Sequence, residues 1–327
     1  MDYTLDFEKP VKELENQIEE LKQASSKPQL DISGEIAALQ AKVSELISEI
    51  YSNLSCWERV QLSRHPNRPH CQDYIDQMIE DFHEVHGDRR FMDDKAVIAG
   101  FGRLNGKKVA VVGIEKGRKT NEKIERNFGM PRPEGYRKAL RVMKLAEQFG
   151  IPVISLVDTP GAYPGIGAEE RGQSQAIAES IMEMSDLKTR TITVVIGEGG
   201  SGGALGIAVS DKVMMMEYSI YSVISPESCA SILWSDPKKA EHAANSLQLD
   251  PSKAKEMGII DGVIGEPSGG AHRAPQEAIQ LVKEGLDKEL SLLEKNSIEA
   301  ILDQRYEKFR NMGNKTFEAK TGPKQED

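Results

Sequence analysis

Apolar positions recur along this chain with two different periods, and the change of period divides it. From Val11 the step is three or four: Val11, Leu14, Ile18 and Leu21, then, after a polar break from Ala24 to Gln29, Ile32, Ile36, Leu39, Val43, Leu46 and Ile50. That is the stripe of an amphipathic helix, and the second run makes an a/d seam of roughly three heptads, short for a free coiled coil. It predicts helical arms over residues 1–56, either a hairpin packed on the chain's own body or a contact for another subunit. Trp57 to Pro69 reads as an irregular basic stretch with Arg59, Arg64 and Arg68, and Asp73 to Val85 as helix.

From Lys95 the pattern changes to short β-rich runs. Ala96–Phe101 and Lys108–Ile114 are joined through Asn105-Gly106, a hairpin signal. Lys116 to Gly135 predicts a loop dense in charge and glycine, and Tyr136, Ala139, Leu140, Met143 and Phe149 mark a helix face that ends at Gly150. Ile151–Val157 predicts a buried strand, followed by D-T-P-G-A-Y-P-G-I-G and a helix from Glu169 to about Met184. A further buried strand, Thr191 to Ile196, stops at Gly197 and gives way to E-G-G-S-G-G-A-L-G. Val213–Met216 and Ile220–Ile224 predict short strands. Helices follow at Cys229–Trp234, Pro237–Ser246, Lys253–Met257 and from Pro275, with a polar, disordered tail. The whole predicts an α/β body over 57–295 with two glycine-rich turns at the same end of neighbouring strands, and a C-terminal helix and tail over 296–327.

Composition narrows this picture. At 327 residues and 39% hydrophobic, the chain can bury a large core. A net charge of −10 argues against a general nucleic-acid binder, so any anionic ligand must be met by a local cluster. Cys56, Cys71 and Cys229 are too few and too far apart for a disulfide framework or a C-x-x-C zinc site. No stretch approaches the roughly 18 apolar residues of a membrane span, and the acidic N-terminus does not resemble a signal peptide. The expectation is a soluble, cytoplasmic protein with no metal site in this chain.

The run around Gly197 carries the candidate chemistry. Strand, glycine turn and helix N-terminus in that order leave backbone N–H groups facing outward, ready for an oxyanion or a phosphate. Gly197–Gly202 satisfies G-x-G-x-x-G, with Glu217 at about the spacing of a ribose-binding acid. Only about eight residues separate Gly203 from the next strand, however, too few for a dinucleotide-type crossover helix. Gly199–Gly203 also satisfies G-x-S-x-G, which would make Ser201 a hydrolase nucleophile with Asp211 or Asp261 and His272. Serine between glycines is an ordinary turn residue, and neither His242 nor His272 sits in an evident strand-end loop. A phosphate-binding Walker loop fails, since no Lys-Ser or Lys-Thr follows. What is left is an oxyanion hole of backbone N–H groups at Gly202 and Gly203. Met214–Met216 reads as core strand, Arg137 and Lys138 as a solvated charged face, and Glu198 as a candidate to orient the turn.

G-G-A-L-G-I-A-V-S-D followed by a strand and S-P-E resembles the oxyanion-hole segment of the crotonase superfamily. Longer strings are similar to the α subunits of bacterial- and plastid-type acetyl-coenzyme A carboxylase carboxyltransferases, nearly end to end. They are F-E-K-P (7–10), W-E-R-V-Q-L-S-R-H-P (57–66), H-G-D-R (86–89), R-N-F-G-M-P (126–131) and P-E-G-Y-R-K-A-L-R (133–141). D-T-P-G-A-Y-P-G-I-G-A-E-E-R-G-Q (158–173), G-E-G-G-S-G-G-A-L (197–205), C-A-S-I-L-W (229–234) and G-G-A-H-R (269–273) complete them.

The resemblance implies a crotonase-like spiral of ββα units with N-terminal arms and C-terminal helices. It implies transfer of a carboxyl group from carboxybiotin, held on a carrier protein, to acetyl-CoA. Malonyl-CoA, the first committed intermediate of fatty acid synthesis, would be the product. The partners implied are a β subunit in an α2β2 assembly, the biotin carboxyl carrier protein and an ATP-dependent biotin carboxylase. No cofactor is expected on this chain, and zinc is expected on the β subunit only. The compartment implied is the cytoplasm, or the plastid stroma for a plastid-type member. Gly202 and Gly203 would then stabilise the biotin oxygen, while Gly161, Ala162, Tyr163, Gly199 and Gly200 shape the carboxybiotin pocket. Arg118, Arg126 and Arg132 become candidate contacts for the coenzyme A phosphates. Two departures stand out: Ile114-Glu115 where members often have His-Gln, and Ser228 where glycine is frequent. The alternatives are a serine hydrolase using Ser201 and a non-catalytic crotonase-like scaffold.

Overall fold

The structure is a computed structural model that describes residues 3–25 and 33–313. The expected polar tail and most of the break between the arms lie outside the described residues. Helices α1 (Lys9–Ser25) and α2 (Ser33–Ser52) carry the arms. Their apolar stripes meet each other, and Val11, Ile18, Val43 and Ile47 are buried between them. Tyr51 and Leu54 continue that cluster onto Leu62 and Tyr218 of the body. The arms are thus a hairpin docked at its base.

The body begins earlier than the hydrophobic pattern suggests. Trp57–Pro69 is not irregular: α3 spans Cys56–Ser63. A capping box starts it, with Ser55 Oγ accepting from the Glu58 N–H (3.2 Å) and Glu58 Oε2 accepting from the Ser55 N–H (2.8 Å). Likewise the helix expected over 73–85 is α4 (Cys71–Met78) followed by an edge strand, β1 (Glu80–Glu84). That strand is polar and mostly exposed, so it shows no alternation.

β2 (Val97–Leu104) and β3 (Lys107–Ile114) form the predicted hairpin. The expected loop after it holds a short helix, α5 (Thr120–Glu125), and α6 (Pro133–Gln148) starts early with proline in its first turn. β4 (Val153–Thr159) leads to α7 (Ile166–Glu170) and α8 (Gln173–Ser185), two helices where one was expected, divided at Gly172 with φ 82°. β5 (Thr191–Gly200) is longer than the apolar run because the glycines continue it. α9 (Ser201–Leu205), β6 (Lys212–Met216), β7 (Ile220–Ser222), α10 (Pro226–Trp234), α11 (Ala240–Leu247), α12 (Pro251–Glu256), β8 (Gly262–Ile264), α13 (Pro275–Leu293) and α14 (Ile298–Asn311) complete the chain.

The eight strands form one sheet in the order β1-β2-β3-β4-β5-β6-β8, with β7 paired to the end of β5. From β3 onward the pairs are parallel. The strands β3 to β6 are buried on both faces, as covered parallel sheets are. Ile154, Ile192, Val194, Met214 and Met216 pack against α4 and α13. The alternate residues Val153, Val195, Val213 and Met215 pack against α6 and α8. α14 is bolted on by Arg305, which is buried, pairs with Asp211 (2.7 Å) and donates to the carbonyls of Met184, Leu187 and Thr189. Lys138, expected on a solvated face, is also fully buried, its Nζ 2.7 Å from Asp93 and 2.9 Å from the Asp94 carbonyl.

Candidate functional site

β4 and β5 are parallel neighbours, so their glycine-rich ends meet at one edge of the sheet. The register there slips: Val157 pairs with Val195, but Thr159 pairs with Gly199. β5 therefore carries extra residues, and in the slack Asp158 Oδ1 accepts from the Glu198 N–H at 3.0 Å. The two turns then touch backbone to backbone. A Cβ on Gly200 would lie 2.2 Å from the Pro160 carbonyl oxygen, and one on Gly203 would lie 2.4 Å from Gly161 C and 2.5 Å from Ala162 N. Both positions are closed to any side chain. Gly202 differs, since a Cβ there would meet only Ile177, at 3.8 Å.

The second turn is held rigidly. Gly161 N–H donates to Thr159 Oγ1 (3.0 Å) and Tyr163 N–H to the Pro131 carbonyl (3.0 Å). Gln173 Nε2 bridges the Pro131 and Tyr163 carbonyls at 2.9 Å each. Tyr136, buried beneath, donates its hydroxyl to the Gly203 carbonyl (3.2 Å). Pro160, Gly161 and Ala162 are thus brought against Gly200 and Gly203, with Tyr163 next in the same turn. Beside them an apolar cavity of about 250 Å³ is lined by Ser201, Gly202, Leu205, Tyr221, Phe309 and their neighbours. Burial pushes the Tyr221 phenol up to about 12, so it stays neutral.

Charge stands one layer behind. Lys116, just past β3, lies 2.7 Å from Asp158 and 3.4 Å from Glu198. Arg64, at the end of α3, pairs with Glu198 (2.7 Å) and with Glu227 of α10 (2.6 Å). Burial works to raise the Glu198 carboxyl, but Lys116 and Arg64 outweigh it and hold it below the usual range. Burial opposes the charge on Lys116 too, and Asp158 and Glu198 overcome it. One cation therefore ties the ends of β3, β4 and β5 together. Glu198 stood beside the glycines in the sequence, Asp158 opened the other glycine turn and Arg64 lay in the basic stretch, but no motif announced that these residues and Lys116 pair.

The three candidate arginines separate. Arg132 stacks over the Tyr163 ring, 4.9 Å from its centroid, and so faces the second turn. Arg118 is bound to Asp73 and to the Pro66 carbonyl (3.3 Å), and Arg126 donates to the Lys95 carbonyl (2.7 Å). Glu115, one of the two departures, accepts from the Gln72 and Gly117 N–H groups at 2.8 and 2.7 Å, so the position keeps a hydrogen-bonding role. Ser228, the other, is exposed.

Among the described residues, no triad assembles around Ser201. His272 pairs with Glu8 (2.9 Å), and His242 stacks on Trp234 with centroids 4.8 Å apart. Asp211 is taken by Arg305 and Thr191, and Asp261 by Lys308. Among the described residues, no hydrogen bond joins Ser201 to a histidine.

A site of paired backbone turns with neutral walls suits a reaction that needs fixed donors rather than a protein acid or base. The family described as "Acetyl co-enzyme A carboxylase carboxyltransferase-like" has a sequence profile that matches residues 4–313. The chain belongs to that family. It is 53% identical over 309 residues to the acetyl-coenzyme A carboxylase carboxyl transferase subunit alpha of Xanthomonas campestris pv. campestris (strain B100), covering 94% of this chain and 97% of that one. The subunit of the same name from Stenotrophomonas maltophilia (strain R551-3) is 52% identical over 315 residues, covering 96% and 98%. Among solved structures, transcarboxylase 12S superposes with a TM-score of 0.55 at 21% identity, over 70% of this chain and 44% of that one. The beta subunit of the P. aeruginosa geranyl-CoA carboxylase gives 0.53 at 16% identity, over 72% and 44%. These likenesses show that the chain shares a fold with both structures, and this chain spans less than half of either. Among the described residues, no helix is long and apolar enough to cross a membrane.

Proposed function

We propose that this chain is the α half of a carboxyltransferase, moving the carboxyl group of carboxybiotin to acetyl-CoA to give malonyl-CoA. The observation that carries the reading is the meeting of two glycine turns at adjoining strand ends, beside a neutral cavity. Breaking the N–carboxyl bond of carboxybiotin leaves charge on the ureido oxygen. Gly202 and Gly203 N–H groups, at the start of α9, are assigned to that oxygen, and one such donor is worth about 3–4 kcal/mol of barrier. Biotin nitrogen takes the proton from the acetyl methyl group, and the resulting enolate attacks the released CO₂. No side chain of this protein need change protonation.

In this reading Gly161, Ala162, Tyr163, Gly199 and Gly200 form the wall against which biotin lies. Arg132 is the arginine best placed to reach coenzyme A, because Arg118 and Arg126 are already engaged. A zinc-bearing β subunit in an α2β2 assembly supplies the rest of the site. The biotin carboxyl carrier protein and its ATP-dependent carboxylase supply the donor, in the cytoplasm or a plastid stroma. Mixing the chain with a β partner, acetyl-CoA and carboxybiotin should give malonyl-CoA, read by mass spectrometry. Turnover by the isolated chain would refute the divided site. Normal assembly without turnover would favour the scaffold instead.

A further inference from the structure

Three of the strings that carry the family resemblance play no part in that reaction: F-E-K-P (7–10), the end of W-E-R-V-Q-L-S-R-H-P (57–66) and G-G-A-H-R (269–273). The fold brings them together. Glu8 lies just before α1, His65 just after α3 and His272 shortly before α13, and one nitrogen or oxygen atom of each lies within 4.8 Å of the others. The two imidazole rings lie 4.1 Å apart, centroid to centroid. With Lys12, Glu15 and Arg273 they line a polar pocket of about 240 Å³ between the arms and the body. His65 Nε2 and His272 Nδ1 are buried there without a hydrogen bond of ordinary geometry, although the Tyr3 backbone lies close enough to His65 to favour its charged form. A buried polar atom left unpaired in a native protein calls for a water, an ion or a ligand.

Hydrogen positions decide what that occupant is. The Asn67 N–H donates to His65 Nδ1 at 3.1 Å, so the ring hydrogen of neutral His65 sits on Nε2. That atom is a donor and has no lone pair for a metal. Glu8 is no better as a ligand. Its Oε1 accepts from the Tyr51 hydroxyl (2.8 Å) and from His272 Nε2 (2.9 Å), and its Oε2 from the Leu5 N–H (3.3 Å). A cation would find one imidazole lone pair, on His272 Nδ1, and a carboxylate already accepting three hydrogen bonds.

An anion would find the reverse. His65 Nε2–H points to it as a donor. His272 Nδ1, on the opposite wall, can accept from the hydroxyl that a hydrogen phosphate or a protonated carboxyl group carries. Arg273, paired with Glu15, and Lys12 bring positive charge to the same pocket. We propose that this pocket binds a small oxyanion, a phosphate or carboxylate group, between His65 Nε2–H and His272. The titratable groups that face it are Tyr3, Glu8, Lys12 and Glu15 from the arm, and His65, His272 and Arg273 from the body, with Tyr51 behind Glu8. Because both halves contribute, the bound anion clamps the arms to the body. The proposal does not depend on the transferase reading, since it concerns binding to the free chain.

Isothermal titration of the full chain with inorganic phosphate, with malonate and separately with zinc chloride tests it. Phosphate or malonate should bind saturably at one site, and whichever binds names the source of the oxyanion. His65→Phe, which keeps a ring against His272 but has no N–H, should weaken that binding about tenfold or more. Lys12→Gln should weaken it about threefold and leaves the ring stack alone, so it decides the matter if His65→Phe fails to fold. Failure of both anions to bind the wild-type chain overturns the proposal, as does binding unchanged in both variants. Saturable zinc binding that disappears in His65→Phe would make this a metal site and overturn it too.

Discussion

Between Thr159–Tyr163 and Gly199–Gly203, two turns touch through their backbones; between Glu8, Tyr51, His65 and His272, four side chains do all the touching. The first region keeps its charges one layer back, in Lys116, Asp158, Glu198 and Arg64. The second puts charged and titratable groups directly on the pocket. The difference is one of tolerance. A backbone site is insensitive to pH but intolerant of a single added carbon atom where the turns meet. A side-chain site tolerates small changes of shape but responds to protons.

Arg68 joins the two regions, and its loss should have the largest effect. Its guanidinium donates to the Ile196 carbonyl (2.9 Å), behind the glycine turn, and pairs with Glu266 (2.7 Å). Glu266 in turn accepts from the Ala271 N–H (2.7 Å), next to His272. Both side chains are almost wholly buried, 3% and 0% exposed. Arg68→Ala leaves Glu266 charged and unpaired, so unfolding stability measured in denaturant should fall by about 3–5 kcal/mol. A loss under about 1 kcal/mol would mean that the two regions are not braced through this pair.

Acid should divide them next. Burial, and the neighbouring His272, push the His65 imidazole from an ordinary 6.5 down to about 4. The unfolded chain therefore binds this proton first, and stability is lost as pH falls from about 6.5 to about 4, by about 3 kcal/mol. Glu8 acts in the same direction further down. Burial opposes ionisation, but His272, Tyr51 and the Leu5 N–H hold its carboxyl at about 2, so its contribution is present above 4.5 and lost as pH drops toward 2. At the glycine turns Glu198, held low by Lys116 and Arg64, acts in the same direction, but among the described residues no imidazole lies there to take up a proton between about 6.5 and 4. Hydrogen exchange at pH 4.5 should show α1 and α2 opening while β4 and β5 stay protected. Equal loss of protection in both would end the contrast.

The same contrast explains what the sequence could tell. The glycine site is local: its strands, turns and helix starts are contiguous strings, so the two turns and their shared edge were legible before the fold. The buried strands were legible too, because buried parallel strands show as apolar runs. β1 was missed because an exposed edge strand has no apolar face, and α3 because its S-x-x-E cap was masked by basic residues. The charged layer and the arm pocket are sums of residues 40 to 264 positions apart, such as Asp158 with Glu198 and Glu8 with His272. No periodicity records such pairs. Lys138 failed for that reason: a lysine on a helix reads as surface until Asp93 is placed beside it.

Within the glycine site, Gly203 and Gly202 should part company. Gly203→Val drives a side chain into the Gly161–Ala162 peptide, and should lower stability by about 1–3 kcal/mol and abolish turnover of the chain assembled with its β partner. Gly202→Ala places its Cβ 3.8 Å from Ile177 and keeps the N–H, so stability should change by less than about 1 kcal/mol and turnover should persist. Full activity in Gly203→Val would show that the spacing of the two turns does not set the oxyanion hole.

The smallest effect is expected at Ser201, and it separates the backbone reading from the nucleophile reading. Its φ of 52° is left-handed, a conformation that costs a residue with a side chain about 1 kcal/mol relative to glycine. A strained serine between strand and helix is also what a hydrolase nucleophile would show, so strain by itself does not discriminate. Two substitutions do. Ser201→Gly relieves the backbone, and should raise the melting temperature slightly with turnover unchanged. Ser201→Ala keeps the strain and removes only Oγ, and should leave both stability and turnover near the wild-type values. A nucleophile requires the opposite: both variants inactive, and covalent labelling of the parent by a fluorophosphonate. If the label attaches, the working part of the turn is a side chain after all, and the contrast between the two regions collapses at its centre.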